Sequence, residues 1–149
     1  MRALKCIFLV YLTIVFLSND AFAKKIVKVG GYNFEPFVYL EKGIKAKGLT
    51  LELITLLNKH QTDFHFNFVP TTAQRRYRDF EEKHFDMMFF ENPNWEWLKR
   101  GLPIEASATF LEGGEIFIAC KKPGRTQNFF KKIEGKKIAG MRGYHYGFA

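Results

Sequence analysis

The sequence is poor in the residue patterns that identify enzymes and metal proteins. It has two cysteines, and Cys6 lies in an apolar run near the start of the chain, which leaves Cys120 as the only cysteine beyond that run. None of the patterns CxxC, HExxH, GxSxG or a glycine-rich phosphate loop occurs, and the four histidines form no i, i+4 pair. We therefore predict no catalytic residue, no metal ion and no cofactor, and a fold held by its core rather than by an intrachain disulfide.

The sequence also lacks an apolar run long enough to span a membrane. The run Cys6–Leu17 has 12 residues, whereas a spanning helix needs about 20. Arg2 and Lys5 precede this run and Ala21-Phe22-Ala23 follows it. A positive start, an apolar middle and a small-x-small end are the three zones of a secretory signal peptide. We predict that residues 1–23 are removed after Ala23 and that the mature protein works outside the cytoplasm.

The excess of positive charge is local. The formal net charge is +8, and eight basic residues and one acidic residue lie between Lys121 and Arg142. The remainder of the predicted mature chain is close to neutral. Nucleic-acid binding depends on a basic surface that neutralises many phosphates, so a single basic block on an exported chain predicts no nucleic-acid partner.

Hydrophobic spacing predicts strands that alternate with helices. The predicted strands are Lys25–Gly30, Phe64–Phe68, Phe85–Phe90, Glu115–Ala119 and Lys136–Met141. The first helix carries a leucine stripe formed by Leu49, Leu53, Leu56 and Leu57. The second opens at a capping box from Thr71 to Gln74 and buries Ala73, Tyr77 and Phe80, with its arginines elsewhere around it. This order predicts an α/β fold with a mostly parallel sheet and flanking helices.

Two loops that follow predicted strands have the composition of a binding site. Ligands of parallel sheets bind at the carboxyl ends of strands, and the loops at 32–37 and 91–97 are rich in aromatic and amide groups. The candidate ligand-binding residues in them are Tyr32, Phe34, Glu35, Phe37, Asn92 and Trp95. Phe34 and Phe37 fit a core position equally well, whereas Glu35 fits a cationic or hydroxylated ligand and Trp95 fits a stacking contact. Arg75 and Arg76 either both face solvent, or one of them points its guanidinium toward the binding loops and holds an anionic group.

Five segments together resemble the extracellular solute-binding proteins of family 3, the type II periplasmic binding proteins of ABC importers. In chain order they are KIVKVGGYNFEPF (25–37), KGLTLELITLLNK (47–59), FHFNFVP (64–70), HFDMMFF (84–90) and EGKKIAGMRGYHYG (134–147). The resemblance implies a periplasmic receptor that is not an enzyme. Such a receptor closes two lobes on a small polar, amino acid-like ligand and delivers it to an ABC transporter permease, its only contact with the membrane.

The resemblance also implies a division of the chain. Residues 24–115 correspond to lobe one, and residues 116–149 to the hinge crossing and the start of lobe two, so we expect a truncated receptor. Tyr144 and His145 then fall where the family's second lobe presents a helix N-terminus, a natural anion site. The loop ENPNWEWLKR has no Ser or Thr, and Arg100 stands about two residues beyond the family's carboxylate-binding arginine. An ordinary α-amino-acid ligand is therefore not expected.

Three other functions are compatible with the same resemblance. The fold also occurs in cyclohexadienyl dehydratases, beside the catalytic domain of lytic transglycosylases and in sensor domains of receptor kinases. The dehydratase would need acid and base residues from the second lobe, the transglycosylase a further catalytic domain, and the kinase a transmembrane helix.

Overall fold

The computed structural model describes residues 24–41 and 45–147. The predicted signal peptide, residues 1–23, lies outside the described residues. Within the described ranges, no helix is long and apolar enough to cross a membrane.

Three parallel strands form the sheet. They are β1 (Lys25–Gly31), β2 (Phe64–Pro70) and β3 (Met87–Met88), in the order β2-β1-β3. Helix α1 (Leu49–His60) connects β1 to β2, and helix α2 (Arg76–Glu81) connects β2 to β3. The predicted alternation of strands and helices and the parallel sheet are confirmed, so the chain has a small α/β fold.

The third strand is much shorter than the predicted strand Phe85–Phe90. Phe90 has a φ of 58°, a left-handed conformation that ends regular pairing. Asp86 keeps the start of the segment against β1, because its carboxylate accepts a hydrogen bond from the Lys28 backbone at 2.8 Å. Only Met87 and Met88 therefore have ladder geometry.

Helix α1 buries a face that matches the predicted leucine stripe only in part. Thr50 and Ile54 are buried, whereas Leu49 and Leu56 are 42% and 54% exposed. The first turn of α1 is tied to the loop after β1, because the Thr50 N–H donates to the Phe37 carbonyl at 2.9 Å. Leu53 and Leu57 of the predicted stripe are half-buried, so the buried face overlaps that stripe in part.

Helix α2 begins later than the capping-box spacing predicts. Thr72, rather than Thr71, closes the turn before it, since its Oγ1 accepts the Arg75 N–H at 3.1 Å. The Thr71 hydroxyl instead donates to the carboxylate of Asp79. Tyr77 is buried as predicted, but Arg76 is buried beside it with no exposed surface, which contradicts the prediction that the arginines lie elsewhere.

The core lies where α2 packs on the segment that follows β3. Tyr77, Phe85, Trp97 and Leu102 form its buried cluster. Gly30 allows Phe85 to pack directly on β1, because a Cβ at this position would lie 2.6 Å from the Phe85 ring. Trp97 is 4% exposed and crosses Tyr77 at 4.8 Å between ring centroids, so this tryptophan belongs to the core.

Residues beyond 104 form neither of the two predicted late strands. The segments Glu115–Ala119 and Lys136–Met141 contain no strand, and a short 3-10 helix at Gln127–Phe129 lies between them. Ile116 and Ile118 are 85% and 88% exposed. A strand is stable only when it pairs and buries one face, and within the described ranges these segments have no sheet neighbour. Cys120 is likewise exposed.

Candidate functional site

The loops that follow β1 and β3 meet at one edge of the sheet. Neighbouring parallel strands end at the same edge, so the chain leaves both strands side by side. The Tyr32 hydroxyl donates to Oε1 of Glu91 at 2.8 Å. The rings of Phe34 and Trp95 meet edge to face, 6.1 Å apart. The two predicted binding loops are therefore joined by a hydrogen bond and an aromatic contact.

A row of aromatic rings continues across both loops. Tyr32 stacks on Phe34 at 5.8 Å, and Phe34 lies 5.2 Å from Phe37. Phe37 in turn stacks on Phe90 at 4.5 Å. Phe34 and Phe37 are half-buried, so these rings pack on one another and still present surface at the edge of the sheet.

A shallow recess lies between these rings and the end of β1. It encloses about 220 Å³, counting the open space at its mouth. Most of this space is open to solvent, so the enclosed part is far smaller than a usual ligand pocket of roughly 300–1,000 Å³. Its polar side chains are Tyr32, Thr50 and Glu91, and among the described side chains that line it only Glu91 is a carboxylate.

Glu91 is held by two hydrogen bonds and one ion pair. Tyr32 donates to Oε1, and the Trp97 indole N–H donates to Oε2 at 2.7 Å. Nε of Arg76 forms an ion pair with Oε2 at 3.2 Å. Burial raises the pKa of Glu91 above its usual range, against the opposing effects of Arg76 and the two hydrogen bonds. Burial and the neighbouring carboxylate also raise the pKa of Tyr32, which stays a neutral donor.

Arg76 is fixed on every side. Its guanidinium lies 4.3 Å from the ring centroid of Tyr77 and 5.0 Å from that of Tyr32. Nη1 donates to the carbonyls of Ala73 and, at 3.1 Å, Gly143, and Nη2 donates to the Tyr77 hydroxyl. Nε is buried and forms no hydrogen bond of ordinary geometry. Arg76 is thus the arginine that points toward the site, but it holds Glu91 in place and has no open path to an anion.

Four further predicted site residues are Arg75, Glu35, Asn92 and Trp95, and each has different contacts. Arg75 faces solvent with 65% of its side chain exposed and pairs with Asp79 at 3.1 Å. Glu35 is exposed. The Asn92 Oδ1 accepts the Asn94 N–H at 2.9 Å and so shapes its own loop. Half-buried Trp95 accepts the Tyr77 hydroxyl at its carbonyl, 2.7 Å away.

Tyr144 reaches the site from the far end of the chain. Its hydroxyl donates to the Asn33 carbonyl at 2.6 Å, and its ring meets Phe34 edge to face at 5.2 Å. His145 is half-buried next to it. The described residues 141–147 contain no helix, so the helix N-terminus implied for Tyr144 and His145 is not formed, and an anion site built on a helix dipole does not apply here.

Glu91 is the central residue that the sequence interpretation missed. Its sequence signal is weak, because it is one acidic residue after an apolar run, at the start of a loop that also contains Glu96. What distinguishes Glu91 is its burial against Arg76 and Tyr32, both distant in sequence. A pattern within one segment cannot reveal such a contact.

A second group of polar residues lies at the C-terminal end of α2 and just beyond it. Asp79, Glu82 and His84 have potential metal ligands within 4.8 Å of one another. Asp79 already receives the Thr71 hydroxyl and Arg75, and Glu82 pairs with Arg78 at 2.7 Å. Ion pairs and hydrogen bonds therefore account for this cluster without a metal ion.

The recess combines one carboxylate with several aromatic rings at the carboxyl edge of a parallel sheet. Tyr32 and Thr50 also border it, but both are buried, and the Tyr32 hydroxyl already donates to Glu91. Comparisons of the chain with protein-family models, with curated proteins and with solved structures give no match.

Proposed function

We propose that this protein is a periplasmic solute-binding receptor of the type II kind, which captures a small polar ligand for an ABC-type importer. The observation that carries the proposal is the meeting of the loops after β1 and β3 around the recess at Glu91. In an open parallel sheet, this edge is where small ligands bind. The resemblance of five ordered segments to the family 3 receptors supports the same assignment.

The contacts of Tyr144 support a two-lobed mode of capture. Tyr144 and Gly143 lie in the segment that resembles the start of lobe two, and they bond to Asn33 and Arg76 of the predicted lobe one. A receptor that closes on its ligand needs its second lobe to reach this edge of the first. The recess is smaller than a usual pocket, which suits a surface that supplies one of two jaws.

Ligand binding is tested by thermal denaturation of the protein purified from the periplasm of an expression host. The panel contains amino acids, amines, small organic acids and sugars at millimolar concentration. A bound solute stabilises the folded state, and we expect at least one solute to raise the melting temperature by several degrees. Trp95→Ala should reduce that shift, whereas Leu98→Ala, an exposed neighbour, should leave it unchanged. A panel without any shift would rule out the receptor function.

Export is tested separately on the same preparation. Cleavage after Ala23 gives a mature chain that begins at Lys24, and intact mass spectrometry measures this directly. Ala23→Leu removes the small residue that signal peptidase requires and should leave the full-length chain in the membrane fraction. Recovery of uncleaved wild-type protein from the cytoplasm would contradict the proposed location.

A further inference from the structure

Among the strands of the described residues, β2 lies at one edge of the sheet, in the order β2-β1-β3. The Asp63 carbonyl accepts the Lys25 N–H at 3.1 Å, and the Thr71 N–H donates to the Gly31 carbonyl at 2.8 Å. The backbone groups of a strand alternate in direction from one residue to the next, so the odd-numbered residues from 63 to 71 face β1. The even-numbered residues therefore direct their backbone groups outward, and these include Phe64, Phe66 and Phe68.

Two side-chain amides from the end of α1 bond the outward-facing groups of β2. Oδ1 of Asn58 accepts the Phe66 N–H at 2.8 Å, and Nδ2 donates to the Phe66 carbonyl at 2.9 Å. Gln61 forms the same two bonds with Phe64, both at 2.8 Å. In an antiparallel sheet, two opposite residues exchange both of their backbone hydrogen bonds in this way. Asn58 and Gln61 therefore bond β2 as alternate residues of a neighbouring strand would.

The strand itself lacks the features that usually stop an edge strand from pairing. Edge strands are commonly protected by charged side chains, a bulge or an internal proline. Residues 64–70 contain no Lys, Arg, Asp or Glu, and all 7 pair with β1 in continuous register. Pro70 stands only at the last position. An uncharged, aromatic strand of this length is prone to add to a strand of another molecule.

The sequence of β2 suits antiparallel pairing with a second copy of itself. Pairing centred on Phe66 places this residue opposite its own counterpart and Phe64 opposite Phe68. His65 then lies opposite Asn67. Aromatic pairs across strands are stabilising, and no charges of the same sign meet in the Asp-, Glu-, Lys- and Arg-free segment. A second copy of this chain is therefore the partner that fits the edge.

We propose that the side-chain amides of Asn58 and Gln61 keep the protein monomeric, because they occupy the backbone groups through which β2 would pair with β2 of a second copy. Beyond the two amides, the strand offers the outward backbone groups of Phe68 and the Pro70 carbonyl, which are too few for another strand to add. This inference does not depend on the proposed receptor function.

The test is sedimentation velocity of the double variant Asn58→Ala, Gln61→Ala over a range of concentrations. We expect the wild-type protein to be monomeric and the double variant to form dimers or larger species as its concentration rises. The matched control is Gln127→Ala with Asn128→Ala, which removes the same two residue types at exposed positions and should stay monomeric. Adding Asn67→Lys to the double variant should restore the monomer, because a charge in an edge strand opposes pairing.

Amide hydrogen exchange, measured by NMR, tests the two amides separately and decides the proposal even if the double variant folds poorly. Each single substitution frees the N–H of one residue. Gln61→Ala should speed the exchange of the Phe64 N–H by about tenfold or more, and Asn58→Ala should do the same for Phe66. Neither substitution should change the exchange of the other residue.

Several results would overturn the proposal. They are a folded double variant that stays monomeric at every concentration, and a wild-type protein that is itself a dimer. Association of the double variant that Asn67→Lys does not relieve would show that the β2 edge is not its cause. Exchange rates that the single substitutions leave unchanged would show that the amides do not protect the edge.

Discussion

Arg76 and Glu91 stabilise one another at the centre of the candidate site. Each is a charge removed from water, and such a charge is tolerated only when it is paired and hydrogen-bonded. The negative charge of Glu91 balances the positive charge of Arg76, and Tyr32 and Trp97 donate hydrogen bonds to Glu91. Removal of either charge leaves the other buried without its partner.

Arg76→Met tests this pairing. We expect a loss of about 3–5 kcal/mol in the free energy of unfolding at pH 7, because Glu91 keeps its burial and loses its cation. The pKa of Glu91, already raised by burial, rises further in the variant. A carboxyl whose folded-state pKa is raised loses stability as the pH increases through that range, so the deficit should shrink at acidic pH. Urea denaturation at several pH values measures both effects.

Arg75→Met is the matched control for that variant. Arg75 carries the same charge on the preceding residue, but 65% of its side chain is exposed, so water reaches the pair from that side, and Asp79 keeps the Thr71 hydroxyl when Arg75 is removed. Exposed pairs contribute less than about 1 kcal/mol. Equal destabilisation by the two substitutions would contradict a special role for the buried pair.

The Thr71–Asp79 hydrogen bond predicts a different dependence on pH. The Thr71 hydroxyl, with a smaller effect of Arg75, holds the pKa of Asp79 below its usual value. A carboxyl whose folded-state pKa is lowered contributes stability above its unfolded pKa, and this is lost as the pH falls through the folded pKa. Thr71→Val should therefore cost about 1 kcal/mol at pH 7 and progressively less below about pH 4.

Denaturation curves at neutral and acidic pH measure this difference. Thr62→Val, an exposed residue in the turn before β2, is the matched control and should have little effect at either pH. A Thr71→Val deficit that stays constant down to about pH 2 would show that Asp79 is not its source.

Among the secondary-structure elements, β1 is packed tightly against the ring of Phe85. Phe85 is 2% exposed, and its ring lies against the backbone of Gly30. Gly30→Ala places a Cβ 2.6 Å from that ring, so the strand or the ring must shift. We expect a loss of about 1–3 kcal/mol in unfolding free energy by urea denaturation.

Gly113→Ala is the corresponding control, because an added Cβ there meets no atom within 4 Å. It should leave the unfolding free energy nearly unchanged. Equal stability of the two variants would mean that Phe85 does not pack on β1 as described.

The late segments illustrate why a strand pattern is not sufficient for a strand. Glu115–Ala119 is a short apolar run rich in isoleucine, yet Ile116 and Ile118 remain exposed. Backbone pairing and a buried face come from a neighbouring strand. The strand pattern of β2 does form a strand, because β1 pairs with it along its whole length.

At the scale of the whole molecule, the α/β fold and the later segment should differ in resistance to proteolysis. Residues 105–116 and 118–124 are exposed and contain no helix or strand, and exposed segments of this kind are the preferred sites of cleavage. Limited trypsin digestion should cut first after Lys121, because Pro123 blocks cleavage after Lys122, and should spare Arg76, which is buried. Mass spectrometry of the early fragments measures the order, and first cleavage within α2 would contradict it.

Local sequence patterns were sufficient to predict the order of the first three strands and two helices and the parallel sheet. In the first part of the chain, the spacing of apolar residues distinguishes strands from helices. This spacing can be read from the sequence without knowledge of tertiary contacts. The meeting of the two loops also followed from sequence, because the carboxyl ends of parallel neighbours lie at one edge.

The tertiary structure alone decided which residues carry the site. The Thr50–Phe37 hydrogen bond joins α1 to the loop after β1, and contacts with Tyr32 and Glu91 surround the buried Arg76. Partners of this kind lie far apart in the chain, so no window of sequence contains both. Sequence determined the order of the first strands and helices, whereas burial, strand pairing and charge pairing, which depend on long-range contacts, decided which late segments form no strand and placed Glu91 beside the recess.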